Sequence, residues 1–202
     1  MMQPFERLEV IAAPINTANM DTDQIIPARF CWRKRADGWG PLLFHDLRFD
    51  DGGSARPEFV LNREPYHLAR ILVADRNFGC GSSREQAVWS LYDYGIRAVI
   101  APSFGDIFFN NSMQNGLLPV ILAVARCDAL RAQLEAQPGA QIAIDLAAQS
   151  VTAPDGMVDL FKIDEFRKEC LLAGTDDISF TLRQRDAIAQ FESAYDRKVS
   201  WL

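Results

Sequence analysis

The chain has 202 residues, of which 49% are hydrophobic and 24% are charged, and its formal net charge at pH 7 is -6. This size suffices for one substantial core, so we expect a single domain over residues 1–202. The acidic balance disfavours a nucleic-acid partner. No segment approaches the roughly 20 apolar residues of a membrane span, and the first residues lack signal-peptide order, so we expect no membrane partner and a cytoplasmic location.

Short apolar runs predict the strands of an α/β domain. Residues 8–14 open the chain as a strand, and three further buried strands are expected at residues 71–74, 98–101 and 120–123. Alternating polar and apolar side chains over residues 141–146 predict a hairpin, whose second strand covers residues 150–153 and ends at a turn over 154–156.

Helical spacing appears between and after these strands. Residues 85–94 carry apolar side chains at helical intervals, and residues 127–137 form a second predicted helix that stops before Pro138. Two terminal helices, over residues 164–173 and 184–197, form an extension over about 164–200. The least regular stretch covers residues 33–56 and is rich in glycine, aspartate and aromatic residues.

Residues 79–86 read Gly-Cys-Gly-Ser-Ser-Arg-Glu-Gln and join a predicted strand to a predicted helix. The glycines permit backbone angles closed to other residues, and Ser82 or Ser83 is expected to cap the helix. Free N–H groups at the first turn, with the planar fork of Arg84, would face a bound carboxylate. The pattern predicts an anion site, although a solvated arginine on an ordinary capped helix and a non-catalytic carboxylate-binding module remain alternatives.

The cysteines do not have the spacing of a metal site. Cys31, Cys80, Cys127 and Cys170 form no Cys-x-x-Cys pair, and His45 and His67 lack ligand-like spacing to any of them. We therefore expect no metal bound by this chain. For Cys80, inside the anion loop, a small packed side chain is favoured over a reactive thiol.

The spacing Gly-x-Gly-Ser-Ser-Arg-Glu resembles the active-site loop of the carboxyl-terminal swivel domain in the aconitase family. Residues 19–27 resemble that family's Asn-x-Asp-Thr-Asp-x-Ile-Ile-Pro segment, and residues 101–108 and 115–120 resemble the stretches that follow the serine loop. Their order is similar to that in the small subunits of 3-isopropylmalate dehydratases. The resemblance implies a single swivelling β/β/α domain, with a mixed sheet flanked by helices.

The resemblance also implies a reaction. These enzymes are hydro-lyases of leucine biosynthesis, which isomerise 2-isopropylmalate and 3-isopropylmalate through 2-isopropylmaleate. In the split members of the family, a [4Fe-4S] cluster is held by the large subunit. The implied partners are therefore that large subunit and a small hydroxy-diacid substrate.

The roles of the loop residues follow from the same resemblance. The resemblance implies that Ser82 is the base that removes a proton α to a carboxylate. It implies that Gly81, Ser83 and Arg84 bind the substrate. Asp21 and Asp23 would orient these residues without touching the substrate themselves. Lowering the pKa of a serine hydroxyl to about 8 takes about 10 kcal/mol, whereas a helix end supplies at most about 2 kcal/mol. We therefore expect the isolated chain to be inactive.

One short segment and one further position depart from the family pattern. Cys31, Trp32 and Arg33 stand in the predicted specificity loop, where many isopropylmalate enzymes carry an apolar pair. Citramalate or a dimethylmalate-type diacid is therefore an alternative substrate, since an apolar wall discriminates one methylene by only about 1–3 kcal/mol. Gln86 occupies the place of an expected histidine, and an amide cannot titrate.

Overall fold

One mixed seven-stranded sheet organises the molecule, whose computed structural model describes residues 2–81 and 83–199. The strands are β1 (Arg7–Ile15), β2 (Ile71–Ala74), β3 (Ala98–Ala101), β4 (Leu118–Ile121), β5 (Gln141–Asp145), β6 (Ser150–Thr152) and β7 (Val158–Leu160). Their order is β4-β3-β2-β1-β5-β6-β7. β1 pairs in parallel with β2 and antiparallel with β5, so it joins a parallel half to an antiparallel half.

Helices connect and flank the strands. They are α1 (Thr22–Ile25), α2 (His45–Arg48), α3 (Glu85–Tyr94), α4 (Asp106–Gln114), α5 (Val124–Ala136), α6 (Glu165–Ala173), α7 (Asp177–Leu182) and α8 (Arg185–Lys198). The expected α/β domain with a mixed sheet and flanking helices is confirmed.

The parallel strands are covered on both faces. Every residue of β2 and β3 is buried, as expected for parallel strands between two layers. One core lies on the face of the sheet that contains Trp39, Phe44 and Leu91, and the other contains Leu130 and Leu134 of α5. The carboxyl ends of β2 and β3 are therefore held in place by a packed core on each face of the sheet.

The stretch at residues 33–56, predicted as irregular, contains short helical turns at Arg35–Asp37 and Gly40–Leu42, followed by α2. It supplies fully buried side chains, Trp39, Leu43 and Phe44, to the core. Gly40 permits this packing, since a Cβ on Gly40 would lie 2.7 Å from the backbone oxygen of Asp93.

Other boundaries and elements differ from the sequence prediction. β4 begins at Leu118 rather than at residue 120, because Pro119 is tolerated on an edge strand that needs fewer N–H donors. α5 begins at Val124 rather than at residue 127. β7, α4 and α7 were not predicted; β7 is three residues long and largely exposed, so it lacks a buried face that its sequence would reveal.

Gly40→Ala should destabilise the fold by about 1–3 kcal/mol, because the new methyl group meets backbone of α3 that cannot rotate away. Urea denaturation of the purified chain measures this loss. Gly52→Ala is the matched control, since its Cβ would meet only the Asp50 side chain at 3.3 Å. Equal stability of the two variants would contradict the close packing of residues 39–42 on α3.

Candidate active site

The glycine-rich loop follows the carboxyl end of β2 and leads into α3. Gly79 and Gly81 have φ values of 72° and 89°, in the region that glycine favours. A Cβ on Gly79 would overlap the ring of Phe108 in α4. Glycine at this position therefore lets the loop approach the start of α4.

Backbone hydrogen bonds tie this loop to the turn before α1. The N–H of Gly79 donates to the carbonyl oxygen of Met20 at 2.7 Å, and the N–H of Thr22 donates to the carbonyl oxygen of Cys80 at 3.0 Å. Two motifs that lie about 60 residues apart in sequence thus form one unit.

Two asparagines add a side-chain link between the same segments. Asn19 and Asn77 both have positive φ, and Asn77 Nδ2 donates to Asn19 Oδ1 at 2.9 Å. Cys80 Sγ lies 3.4 Å from the backbone oxygen of Asn19. Cys80 is half-buried and packed in this link, which agrees with the structural role expected for it.

The start of α3 differs from the prediction that a serine caps it. Arg84 occupies the N-cap position, without a side-chain cap hydrogen bond, and Ser83 is exposed. Ser82, the predicted base, lies outside the described residues. The prediction for Ser83 was wrong because α3 begins one residue later than a Ser83 cap requires. The first N–H groups of α3 therefore lack a cap from the Arg84 side chain.

Arg84 lies against Asp23. Its Nη1 atom is 2.5 Å from Asp23 Oδ1, while only 20% of the arginine side chain is exposed. This contact is an ion pair without hydrogen-bond geometry, and buried Nη1 has no hydrogen-bond acceptor in the described part of the chain. Asp21 acts differently, because its carboxylate accepts from Gln24 N at 2.7 Å and caps α1.

The predicted specificity loop starts beside this ion pair. Burial raises the pKa of the Cys31 thiol above its ordinary value, while the nearby Arg84 guanidinium opposes that shift. Trp32 follows with 81% of its surface exposed, and Arg33 is half-buried. Cys31 thus lies in the electrostatic environment of the site, and Trp32 offers a free aromatic surface.

The segment that follows the specificity loop is anchored on the last turn of α3. Arg35 Nη2 donates to Asp93 Oδ1 at 2.7 Å, and the backbone N–H of Trp39 donates to Asp93 Oδ2 at 2.9 Å. Arg35 also lies over the Trp89 ring, 5.4 Å from its centroid. Residues 35–39 are therefore fixed by contacts with α3. In the sequence, Trp32 stands between this fixed segment and Cys31, on the side of the loop near the ion pair of Arg84 with Asp23.

A cleft of about 340 Å³ lies between the glycine-rich loop and the start of α4. The backbone N–H of Gly105, a residue that lines the cleft, donates to the carbonyl oxygen of Phe78 at 2.9 Å. Gly81 lines this cleft, whereas Ser83 and Arg84 lie outside its lining. The lining residues are Asn77, Gly79, Cys80, Gly81, Phe104, Gly105, Asp106, Ile107 and Phe108.

Asn115, after α4, holds the first turn of α3. Its Nδ2 donates to Glu85 Oε1 at 2.8 Å, and its Oδ1 accepts from Trp89 Nε1 at 3.0 Å. Glu85 directly follows Arg84, so this amide fixes the helix start next to the site. The sequence contains no local signal for a contact between positions 30 residues apart.

Arg131 of α5 supports the other end of the loop. Its Nη1 donates to the carbonyl oxygen of Ala74 at 2.9 Å, and its Nη2 donates to Asp128 at 2.6 Å. Asp75 lies 3.8 Å from the same guanidinium. The last residue of β2 is thus held where the loop begins.

The cysteines do not converge on a metal site. Cys31 and Cys80 are half-buried, and Cys127 and Cys170 are buried, all as free thiols. Over residues 2–81 and 83–199, no group of three or more His, Cys, Asp or Glu side chains is placed to hold a metal ion. Among those same residues, no helix is long and apolar enough to cross a membrane.

Comparisons with known proteins agree with this geometry. The family model of the aconitase C-terminal domain matches residues 2–125, and a model described as LeuD_N matches residues 128–165. The crystal structure of a 3-isopropylmalate dehydratase (leuD) from Methanocaldococcus jannaschii is similar with a TM-score of 0.66 and 26% identity, over 92% of this chain and 99% of that chain. The chain therefore belongs to the aconitase C-terminal domain family, as a LeuD-like small subunit of a hydro-lyase.

Asn115→Asp should destabilise the chain by about 1–3 kcal/mol at pH 7, because a carboxylate then replaces the amide donor that faces Glu85. The like charges raise the pKa of one carboxyl in the folded state, so the folded state binds the proton more tightly than the unfolded state. The deficit relative to wild type should therefore shrink as pH falls.

Urea denaturation at pH 7 and at about pH 5 measures this change. Asn115→Ala is the control, since it removes all three hydrogen bonds of the side-chain amide and adds no charge. A deficit of Asn115→Asp that does not depend on pH would contradict the contact with Glu85.

Proposed function

We propose that this chain is the small subunit of a heteromeric hydro-lyase that isomerises 2-isopropylmalate and 3-isopropylmalate through 2-isopropylmaleate in leucine biosynthesis. The observation that carries the proposal is the Arg84 guanidinium, paired with Asp23 at the start of α3. A guanidinium and a helix N-terminus both bind carboxylates, and the substrate carries two.

The charge balance supports a site that needs a second subunit. The diacid is a dianion at neutral pH, whereas the Arg84 charge is already opposed by the Asp23 carboxylate. A helix N-terminus contributes about 0.3–2 kcal/mol toward one negative charge. The remaining attraction for a dianion has to come from other cations, and the large subunit is the partner we propose for this.

Ser82 is proposed as the base. In the sequence it stands between Gly81, which lines the cleft, and Arg84, which would hold a substrate carboxylate. The base of the proposed reaction has to take a proton α to that carboxylate, and Ser82 is the residue that the family resemblance assigns to this step. Ser83 and the backbone of Gly81 would donate further hydrogen bonds to the substrate, and Asp23 would orient Arg84.

The four cysteines of this chain do not fit an iron-sulfur cluster, since two are buried and no ligand group converges in the described residues. We propose that the [4Fe-4S] cluster is bound by the large subunit. The contribution of this chain is then to bind the carboxylate, to orient the substrate and to hold the base.

Two exposed apolar side chains, one in the cleft and one in the specificity loop, favour closure by that subunit. Ile107, which lines the cleft in the first turn of α4, is 50% exposed, and Trp32 is 81% exposed. Large apolar groups beside a polar site are typical of an interface or a binding groove. Trp32 and Arg33 would contact the variable group of the substrate once the complex has formed.

The reaction is tested by co-expression with the cluster-bearing large subunit. Anaerobic turnover of 3-isopropylmalate should require both chains, and Ser82→Ala should lower kcat by about 10²- to 10⁴-fold, the contribution of a positioned base. Ser193→Ala on the exposed face of α8 is the control. Turnover by the isolated chain would contradict the need for a partner. Tight diacid binding by the isolated chain, with no turnover in the complex, would indicate a non-catalytic binding module.

Substrate choice is tested in the same complex with 3-isopropylmalate, citramalate and dimethylmalate. Trp32→Ala should lower kcat/KM for isopropylmalate relative to citramalate by about 10- to 200-fold, the effect of one lost apolar contact. Leu182→Ala, an exposed apolar residue of α7, is the control. If the wild-type complex prefers a smaller diacid, the protein acts in a related pathway and not in leucine biosynthesis. If Trp32→Ala leaves the ratio of kcat/KM values unchanged, Trp32 does not determine substrate choice.

A further inference from the structure

Two arginines meet at the amino end of the parallel strands. Arg70 directly precedes β2, Arg97 directly precedes β3, and the N–H of Arg97 donates to the carbonyl oxygen of Arg70 at 2.8 Å. The glycine-rich loop follows the opposite end of β2, at a distance of about 13 Å for a strand of this length. This pair of cations is therefore separate from the candidate active site.

Arg97 is buried with neutral partners only. It is 7% exposed, and its Nη1 and Nη2 atoms donate to the side-chain and backbone oxygens of Gln3 at 2.7 and 3.0 Å. Its Nε atom is buried and has no acceptor in the described part of the chain. The guanidinium also lies 5.1 Å from the ring centroid of Tyr92 and 5.8 Å from that of Phe5.

The second cation increases the local positive charge. Burial lowers the pKa of Arg97, and the charge of Arg70 lowers it further, although Tyr92 acts in the opposite direction. Arg70 donates through Nε to the carbonyl oxygen of Gly95 at 3.3 Å. Over residues 2–81 and 83–199, neither guanidinium forms an ion pair with a carboxylate.

Both arginines line a small cavity of about 60 Å³, which we name the amino-edge pocket. Its other lining residues are Pro4, Phe5, Glu6, Arg7 and Leu8. Arg7 is paired with Glu9 at 3.4 Å, so its charge is already balanced. The lining therefore has two guanidinium groups without a carboxylate partner, those of Arg70 and Arg97, and one carboxylate, that of Glu6, which forms no ion pair with either of them in the described structure.

We propose that the amino-edge pocket binds a small oxyanion, of the phosphate or carboxylate class, against Arg70 and Arg97. A buried cation without a counter-charge is unfavourable, and a second cation beside it adds repulsion, so an anion between them relieves both costs. Guanidinium groups match planar and tetrahedral oxyanions through paired N–H donors. The cavity volume restricts the ligand to a few heavy atoms.

Binding at this pocket would also hold the beginning of the chain. Arg97 already bonds Gln3, and Phe5 N donates to the carbonyl oxygen of Leu171 in α6 at 3.0 Å. An oxyanion on Arg97 would thus stabilise the contact between residues 3–5, β3 and α6, without any part in the chemistry at Arg84.

The test is an NMR titration of the full chain with inorganic phosphate, and separately with acetate, at ionic strength held constant with chloride. The arginine Nε–H resonances report directly on the guanidinium groups. Saturable shifts are expected for Arg97 and Arg70, and Arg70→Gln should raise the apparent dissociation constant at least tenfold. Arg185→Gln on exposed α8 is the matched control and should bind as wild type does.

Either anion binding alone supports the pocket and identifies the ligand as phosphate or carboxylate. Arg70 is exposed, so its variant should keep the fold and the test does not depend on a core substitution at Arg97. The absence of saturable binding by both anions, or equal binding by Arg70→Gln and wild type, would overturn the proposal.

Discussion

The hydrogen bonds between the turn at residues 19–22 and the loop at residues 79–80 are the constraint on which the site depends. A glycine-rich loop has little conformational preference of its own, so its shape must be imposed by neighbouring backbone. Here the backbone of Met20 and Thr22 supplies both an acceptor and a donor to the loop. Asp23 directly follows the turn in α1, and Arg84 follows the loop as the N-cap of α3, so one set of contacts helps to position both charges.

The ion pair between Arg84 and Asp23 is preformed, and this has a consequence for affinity. Because Asp23 already orders the Arg84 side chain, Arg84 loses less conformational entropy when a substrate carboxylate binds. The substrate carboxylate must, however, share the guanidinium with Asp23. The chain alone therefore presents an oriented site with little net charge. Such a site favours selective binding within a complex over tight binding by the isolated subunit, which agrees with a LeuD-like small subunit.

The parts that were predictable from sequence are those with local determinants. β1, β2, β3 and α3 follow from apolar runs and periodicity, and the juxtaposition of residues 19–27 with the glycine-rich loop follows from the family resemblance. The N-cap at Arg84 was not predicted, because serine propensity favours an earlier start. Residues 33–56 were expected to be irregular, although tertiary packing of Trp39 and Phe44 orders them.

The supporting contacts were beyond sequence reasoning for a different reason. Asn115 with Glu85, and Arg131 with Ala74, join positions far apart in the chain, and no single residue type identifies its partner. Among the site residues, the pairing of Asp23 with Arg84 and the cleft at Gly81 could be located only in three dimensions. The role of Ser82 remains a prediction.

The most direct measurement is an anaerobic crystal structure of the complex of both subunits with 2-isopropylmaleate bound. We expect one substrate carboxylate on the Arg84 guanidinium and the first N–H groups of α3, with the reacting carbon facing the loop between Gly81 and Ser83. A diacid bound elsewhere in the complex, with Arg84 still engaged by Asp23 alone, would contradict the assignment of this loop as the carboxylate site.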